Sequence, residues 1–332
     1  MGESREAIIK SLLLVGDAVR IPKSITLLNE HFKVTYVDST KFQSQCLEYL
    51  PVNDILWIHV DSTLHTIPLE SFRHLDFILS TSTGLTHFPQ RLLSEFPNKI
   101  ISLKGKEKFL SRITSTADLA ITLILVAHTG LTRAIDSVKN TKSFLRLENS
   151  RPRQIHSSKL GIIGFGRLGR MVAERAAALG FQVGIFEIET LKSEEVPNFV
   201  SANFRSVEEL VKWSHIISIH ASSHPDSQSI VDEFFLSFCN AEKAIVNTAR
   251  GNLVNENLII RAIIENNLSL YLTDVLADED LYGTVANSEL LAFSLQDSRI
   301  IISPHIGGAS LDAISECEGI LIEELLQKLY LT

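Results

Sequence analysis

Arg250, Glu279 and His305 are three side chains that together can move a proton at a carbonyl group held beside a carboxylate. The planar fork of Arg250 would clamp the carboxylate and polarise the carbonyl, which the point charge of a lysine does not reproduce. His305 would give a proton to the carbonyl oxygen, or take one from the corresponding hydroxyl in the reverse direction. Glu279 would hydrogen-bond the imidazole, fix its orientation and raise its pKa. No metal is required. Each residue also has a plainer reading: Arg250 as a surface arginine, Glu279 as part of the solvated acidic turn Asp278-Glu279-Asp280, and His305 as a loop histidine satisfied by backbone. Spacing along the chain does not show that the three converge. What they share is position just beyond short apolar runs, and in open parallel sheets ligands gather beyond the carboxyl ends of the strands.

A second constellation supplies a partner for that chemistry. The apolar run Lys159-Leu160-Gly161-Ile162-Ile163 ends in Gly164-Phe165-Gly166-Arg167-Leu168-Gly169, glycines at G-x-G-x-x-G spacing with an amphipathic stretch behind them. Gly164 would allow a tight turn out of a strand, Gly166 a close approach of backbone to a pyrophosphate, and Gly169 close packing of the next helix on the sheet. The N–H groups at the start of that helix, those of Arg167 and Leu168 among them, would face the phosphates. Such a loop alone is weak evidence, because glycine turns also arise from packing. Here Leu168, Val172, Ala176 and Leu179 recur at helical spacing, Gly180 stands where a helix would stop, and 181–186 reads as a second strand ending in Glu187. An acid about twenty residues past the glycines is placed to hold the ribose hydroxyls of an adenosine and to repel a 2′-phosphate. No arginine cluster follows Glu187, so the sequence predicts NAD rather than NADP. A nicotinamide beside Arg250, Glu279 and His305 would make the proton transfer one half of a hydride transfer at a 2-oxo acid.

To position these groups the chain must lay several strands side by side. Short apolar runs at 12–15, 34–37, 55–60, 77–79 and 100–103 alternate with helix-like segments, with Ser24 as an expected N-cap ahead of Ile25, Leu28 and Phe32. Strands separated by helices predict an α/β protein with a parallel, doubly wound sheet; this first domain would end near residue 111. At Ser115-Thr116-Ala117-Asp118 a capping box would open a long helix whose residues 119–127 are apolar almost all round. Such a helix must be buried on several sides, against a second copy of the chain or inside one subunit. The segment 140–156, with Pro152 and several basic residues, reads as an irregular connection. Beyond Glu187 a helix near 207–211 and strands at 216–219, 244–246, 268–272 and 300–302 follow, which with the first two make six strands, the number in a complete dinucleotide domain. Ile314, Cys317, Leu321, Leu325 and Leu329 mark an amphipathic helix at the end.

Composition sets the outer limits. A chain of 332 residues suits two domains, and 45% hydrophobic with 21% charged residues is ordinary for a globular protein. The formal charge of −8, with no run of Lys and Arg interleaved with aromatics, argues against nucleic acid as a direct partner. The longest apolar stretch, 119–127, falls short of the ~20 residues of a membrane span, and the amino-terminal apolar run is too short for a signal peptide, so the protein is expected in the cytoplasm with no membrane partner. Cys46, Cys239 and Cys317, odd in number and widely spaced, read as reduced packing residues.

The glycine loop, Ser214-His215-Ile216-Ile217-Ser218-Ile219-His220, Asn247-Thr248-Ala249-Arg250-Gly251, Asp274-Val275 and Ser303-Pro304-His305-Ile306-Gly307-Gly308, taken in this order, resemble the D-isomer-specific 2-hydroxyacid dehydrogenases. That family includes phosphoglycerate, glycerate, hydroxypyruvate and D-lactate dehydrogenases, and the resemblance covers essentially the whole chain. It implies Arg250, Glu279 and His305 as the catalytic set, His220 and Thr248 among the cofactor contacts, and Asp274 near the nicotinamide end. It implies that backbone N–H groups of Ser82, Thr83 and Gly84 hold the substrate carboxylate. The implied architecture is a flavodoxin-like substrate-binding domain, 1–111 with 306–332, and an inserted Rossmann NAD-binding domain, 112–305, with the reaction in a cleft between them. The implied partners are a small D-2-hydroxy or 2-oxo acid and a second copy in a homodimer built partly on the helix after residue 115. The resemblance also extends to NAD(H)-binding co-repressors that act as dimeric scaffolds with little catalysis. Thr86 stands where the family commonly has Asp, and Ser222 and Asp280 where it usually has Pro; none of these removes a catalytic group. His59-Val60-Asp61-Ser62 lacks the arginine that members specific for phosphoglycerate present to the substrate phosphate, which leaves Lys104, Lys106 and Lys108 as the remaining source of charge.

Overall fold

The computed structural model describes residues 9–60, 62–85, 87–141, 153–222, 229–277, 279 and 288–330. Asp61, Thr86, Pro152, Asp278 and Asp280 lie outside them. The described residues form two compact units, one within Met1–Ile113 and Ser310–Thr332, the other within Thr114–Glu279 and Val285–Ala309.

In the first unit, β1 (Ser11–Val15), β2 (Lys33–Val37), β3 (Ile55–Ile58), β4 (Phe77–Ser80) and β5 (Ile100–Ser102) form a parallel sheet in the order β2-β1-β3-β4-β5. Residues Leu12 to Val15 are apolar without interruption because β1 is covered on both faces. Leu12 and Leu14 join Trp57, Cys317, Leu321 and Leu325 on one side, while Leu13 and Val15 join Phe42 and Phe72 on the other, the alternation that a strand imposes. The C-terminal helix Leu311–Tyr330 thus belongs to this unit. It also corrects the expected cap at Ser24. The helix is Pro22–His31, with Ile21 at its N-cap and Ser24 buried inside it. Proline is preorganised for the first turn, and the acceptor for the two amides just before it comes from the far end of the chain. Glu318, 1% exposed, accepts from Arg20 N–H at 2.6 Å and from Ile21 N–H at 3.2 Å.

The second unit holds β6 (Lys159–Ile163), β7 (Gln182–Phe186), β8 (Val200–Asn203), β9 (Ile216–Ile219), β10 (Ala244–Asn247), β11 (Leu270–Thr273) and β12 (Ile300–Ile302), parallel in the order β12-β11-β10-β9-β6-β7-β8. There are seven strands where six were expected. The addition is β8, whose polar Ser201 and Asn203 suit an edge strand that pairs on one side only, with a register irregularity at Val183/Gly184. The helix Ser115–Thr129 starts one residue earlier than the expected capping box, with Thr114 at the N-cap. Thr114 Oγ1 donates to Asp118 at 2.7 Å, and the same carboxylate pairs with Arg175 at 3.1 Å, so Asp118 is engaged by side chains. Ala117, Ala120, Leu123 and Ile124 are the buried face of this helix, and Gly130 ends it at φ +62°. No single helix among the described residues is long and apolar enough to cross a membrane. Cys46, Cys239 and Cys317 form no disulfide with one another, and burial pushes the Cys239 thiol up to about 12.

Candidate active site

Strand order reverses between β6 and β9, and the glycine loop stands there. Gly164 has φ +89°, and a Cβ on it would lie 2.5 Å from Ala221 N and 2.7 Å from the His220 carbonyl carbon, so the turn out of β6 closes directly on the end of β9. A Cβ on Gly169 would lie 2.0 Å from Gly164 O, which is how closely the helix Arg167–Ala178 sits on the loop. Gly166, the N-cap of that helix, faces open space: a Cβ there would meet nothing within 4 Å. The Leu168 side chain is partly buried against the core. Glu187, at the end of β7, accepts from Phe165 N–H at 2.5 Å and from Ile188 N–H at 2.8 Å. Its carboxylate is therefore fixed on the glycine loop itself. At the end of β9, His220 Nε2 meets Ser218 Oγ at 2.8 Å while Nδ1 is buried without a partner, and burial pushes its pKa down to about 4. Thr248 Oγ1, beyond β10, is likewise buried without a partner.

Beyond β10 the carboxamide of Asn247 closes a turn on itself. Its Oδ1 accepts from Ala249 N–H at 3.0 Å and its Nδ2 donates to Arg250 O at 2.9 Å. Arg250 leaves this turn with Nη1 donating to Ala249 O at 2.6 Å. A Cβ on Gly251 would fall 2.0 Å from the Leu276 carbonyl carbon, so the turn bearing Arg250 lies against the backbone that leads to Glu279. Glu279 Oε1 accepts from Leu276 N–H at 2.6 Å, and Oε2 lies 2.5 Å from His305 Nδ1. His305 has φ +51°, an uncommon conformation for a residue with a side chain. Asp274, 2% exposed, holds the surrounding loop: it accepts from Ser303 Oγ at 2.5 Å, Ile306 N–H at 3.0 Å and Gly307 N–H at 2.8 Å. The bond to Glu279 raises the His305 pKa above its ordinary value; partial burial opposes this, the charges of Glu279 and Asp274 add to it, and Arg250 works against it.

Arg250, Glu279 and His305 therefore come together at the carboxyl edge of the sheet of the second unit. Ser82, Thr83 and Gly84 lie in the first unit beyond β4, where Ser82 Oγ donates to Gly84 O at 2.6 Å and shapes the turn. Asn247 and Ser303, which stand in the quoted motifs but were given no role of their own, complete the second unit's site. The Asn-x-x-Arg spacing is compatible with an Asx turn, whereas the grip of Asp274 on Ser303 joins positions 29 apart, for which no local signal exists.

Fold and site define a dinucleotide-binding α/β protein carrying a histidine–carboxylate pair. The family model described as "D-isomer specific 2-hydroxyacid dehydrogenase, NAD binding domain" matches residues 121–307, and the chain belongs to that family, with an NAD-binding domain. It is similar to a glyoxylate reductase of Pyrococcus horikoshii (28% identity over 204 residues, 60% of this chain and 58% of that one). It is also similar to a hydroxypyruvate reductase of Thermotoga maritima (22% over 287 residues, 86% and 88%). The chain thus spans under two thirds of the glyoxylate reductase. Among solved structures, D-lactate dehydrogenase from Aquifex aeolicus, complexed with NAD and lactic acid, shares the fold at a TM-score of 0.79 and 21% identity, covering 96% of this chain and 95% of that one.

The residues present fit NAD. A loop at the strand-order reversal is open where Gly166 lacks a side chain, an acid stands on that loop, and two buried polar atoms, His220 Nδ1 and Thr248 Oγ1, have no partner among the described residues.

Proposed function

We propose that the chain is an NAD-dependent oxidoreductase interconverting a small 2-oxo acid and its D-2-hydroxy acid. The observation that carries this reading is the His305–Glu279 pair, an imidazole with a raised pKa, beside Arg250 in an NAD-binding domain. Gly164, Gly166, Arg167, Leu168, Gly169, Glu187, His220, Thr248 and Asp274 would hold the cofactor. NAD(H), when bound, supplies or accepts the hydride. Arg250 binds the substrate carboxylate and draws electron density from the carbonyl oxygen. His305, kept protonated by Glu279, donates from Nε2 to that oxygen in reduction and accepts the hydroxyl proton in oxidation, while Nδ1 stays on the carboxylate. Asn247 and Asp274 fix the two turns that carry these groups. The amides of Ser82, Thr83 and Gly84, in the other unit, are proposed as further donors to the carboxylate. The relatives' names, glyoxylate reductase and hydroxypyruvate reductase, support a small 2-oxo acid.

A homodimer is part of the proposal. On the helix Leu131–Thr141, Leu131, Ile135 and Val138 repeat at helical spacing and are 50%, 42% and 48% exposed, an apolar stripe that a second copy would cover. The function is tested by following NADH oxidation with glyoxylate, hydroxypyruvate, pyruvate and 2-oxoisocaproate. Turnover of at least one, abolished in Arg250→Ala and His305→Ala with NADH binding retained, is the expected result. NADH that binds but is oxidised with none of them would contradict it.

A further inference from the structure

The second unit has a cleft at the opposite edge of its sheet. It lies at the amino ends of β6, β9, β10 and β11, next to the end of the helix Ser115–Thr129, and encloses about 340 Å³. His128, Arg133, Arg153 and His215 line it together with Ser158, and Glu242 is the acid among its lining residues.

Helix carboxyl ends also meet this edge and attract cations, so basic residues here need sorting. Lys243 is accounted for in that way: its Nζ donates to the carbonyls of Val211 at 2.7 Å and Ser214 at 2.5 Å, where the helix Val207–Trp213 ends. Arg133 is not. Its Nη2 donates to the carbonyl and hydroxyl of Ser269 at 2.8 and 2.6 Å, groups that precede a strand and carry no charge, and its Nε is buried without a partner among the described residues. Burial and Arg299 pull its pKa down, and Asp297 offsets this only in part. A half-buried guanidinium resting on neutral groups is an incompletely balanced charge. His128 meets Ser158 Oγ at 3.2 Å and sits edge-on to Phe181, with its pKa lowered by burial against a smaller opposing bond to the Arg153 backbone. His215 Nδ1 accepts from Lys159 N–H at 3.1 Å; burial lowers its pKa first, then the charges of Arg153, Lys243 and Lys159, with Glu242 opposing. Arg153 pairs with Glu242 at 3.0 Å on the exposed rim.

We infer that this cleft is a second anion site, taking a small ligand with a doubly charged oxyanion, such as a phosphate ester, between Arg133, Arg153, His128 and His215. It is separate from the cofactor and substrate groups, which stand beyond the carboxyl ends of the same strands. A bound dianion would offset the charges of Arg133 and Arg153, oppose the burial that holds His128 neutral and oppose the cationic field that adds to burial at His215, so it binds with proton uptake and more tightly as pH falls.

Sulfate is the suitable probe, because its own charge is constant over the range in which histidine titrates. The full chain is titrated with sulfate against chloride at constant ionic strength, with NAD present throughout, and the histidine ring signals are followed by NMR. Saturable shifts of His128 and His215, a rise in both pKa values on binding, and an affinity about tenfold lower in Arg133→Gln and in Arg153→Gln are expected. Arg153 is exposed, so that variant keeps the test open should Arg133→Gln fail to fold. Absence of saturable shifts, or an unchanged affinity in Arg153→Gln, would overturn the inference.

Discussion

Nδ1 of His305 lies 2.5 Å from Oε2 of Glu279, and the other oxygen of that carboxylate is held by the amide of Leu276 at 2.6 Å. Glu279 is thus fixed at both oxygens, and the imidazole takes its orientation from the end of β11. The backbone of His305 is set independently, by Asp274 holding the amides of Ile306 and Gly307. Two carboxylates from one strand end therefore fix a histidine beyond the next strand, which leaves Nε2 as the nitrogen available to a substrate.

Two glycines of the loop separate stability from cofactor binding. Gly169→Ala places a Cβ 2.0 Å from Gly164 O, backbone that cannot swing aside, and is expected to cost roughly 3 kcal/mol in urea unfolding. Gly166→Ala meets nothing in the protein and should leave stability within about 0.5 kcal/mol. It should nevertheless weaken NADH, measured by fluorescence titration, about tenfold or more, because the added methyl occupies the approach to the pyrophosphate.

His87 makes the first unit sensitive to acid. It is 1% exposed, its Nε2 meets Ser80 Oγ at 2.9 Å, and burial, with smaller contributions from His59 and His65, lowers its pKa from 6.5 to about 4. The unfolded chain then binds a proton that the folded chain refuses. The stability this represents is present above pH 6.5 and is lost as pH falls towards 4. Between neutral pH and about pH 5 the loss amounts to about 2 kcal/mol. Unfolding of wild type and His87→Gln at the two pH values should show a shallower dependence in the variant; equal slopes would contradict the assignment.

The stripe of Leu131, Ile135 and Val138 predicts an association state. Wild type should sediment as a dimer at micromolar concentration and Ile135→Glu largely as a monomer, since a charge in an apolar interface is left without a partner. A monomeric wild type would contradict the proposed dimer.

Much of this was legible in the sequence, for physical reasons that differ by element. The strands of both sheets read clearly where they are covered on both faces, as with 12–15 and 216–219, because continuous apolar runs record double burial. β8 did not read, because Val200–Asn203 is half polar at a sheet edge. The helix starts at Ser24 and Ser115 were misplaced because neither helix opens on a side-chain cap: Pro22 starts the first, with the amides just before it held by Glu318 from 297 positions away, and Thr114, whose hydroxyl donates to Asp118, stands at the N-cap of the second. The glycine loop, Arg250, Glu279 and His305 stood out by residue type and by position after strands. The grip of Asp274 on 303–307 could not be read, since it joins segments about thirty positions apart by backbone amides that carry no residue signature.

The most direct measurement is the pH dependence of kcat/KM for reduction of a 2-oxo acid, in wild type and in Glu279→Gln. In the proposed reaction the proton donor is His305; its bond to Glu279 holds its pKa above the ordinary 6.5, so wild-type activity should persist above that pH and fall only as the raised pKa is passed. In Glu279→Gln the basic limb should move to lower pH and kcat/KM at neutral pH should drop about a hundredfold, with NADH affinity unchanged. A basic limb that stays where it was, or a rate indifferent to the substitution, would contradict the assignment of this pair as the proton donor.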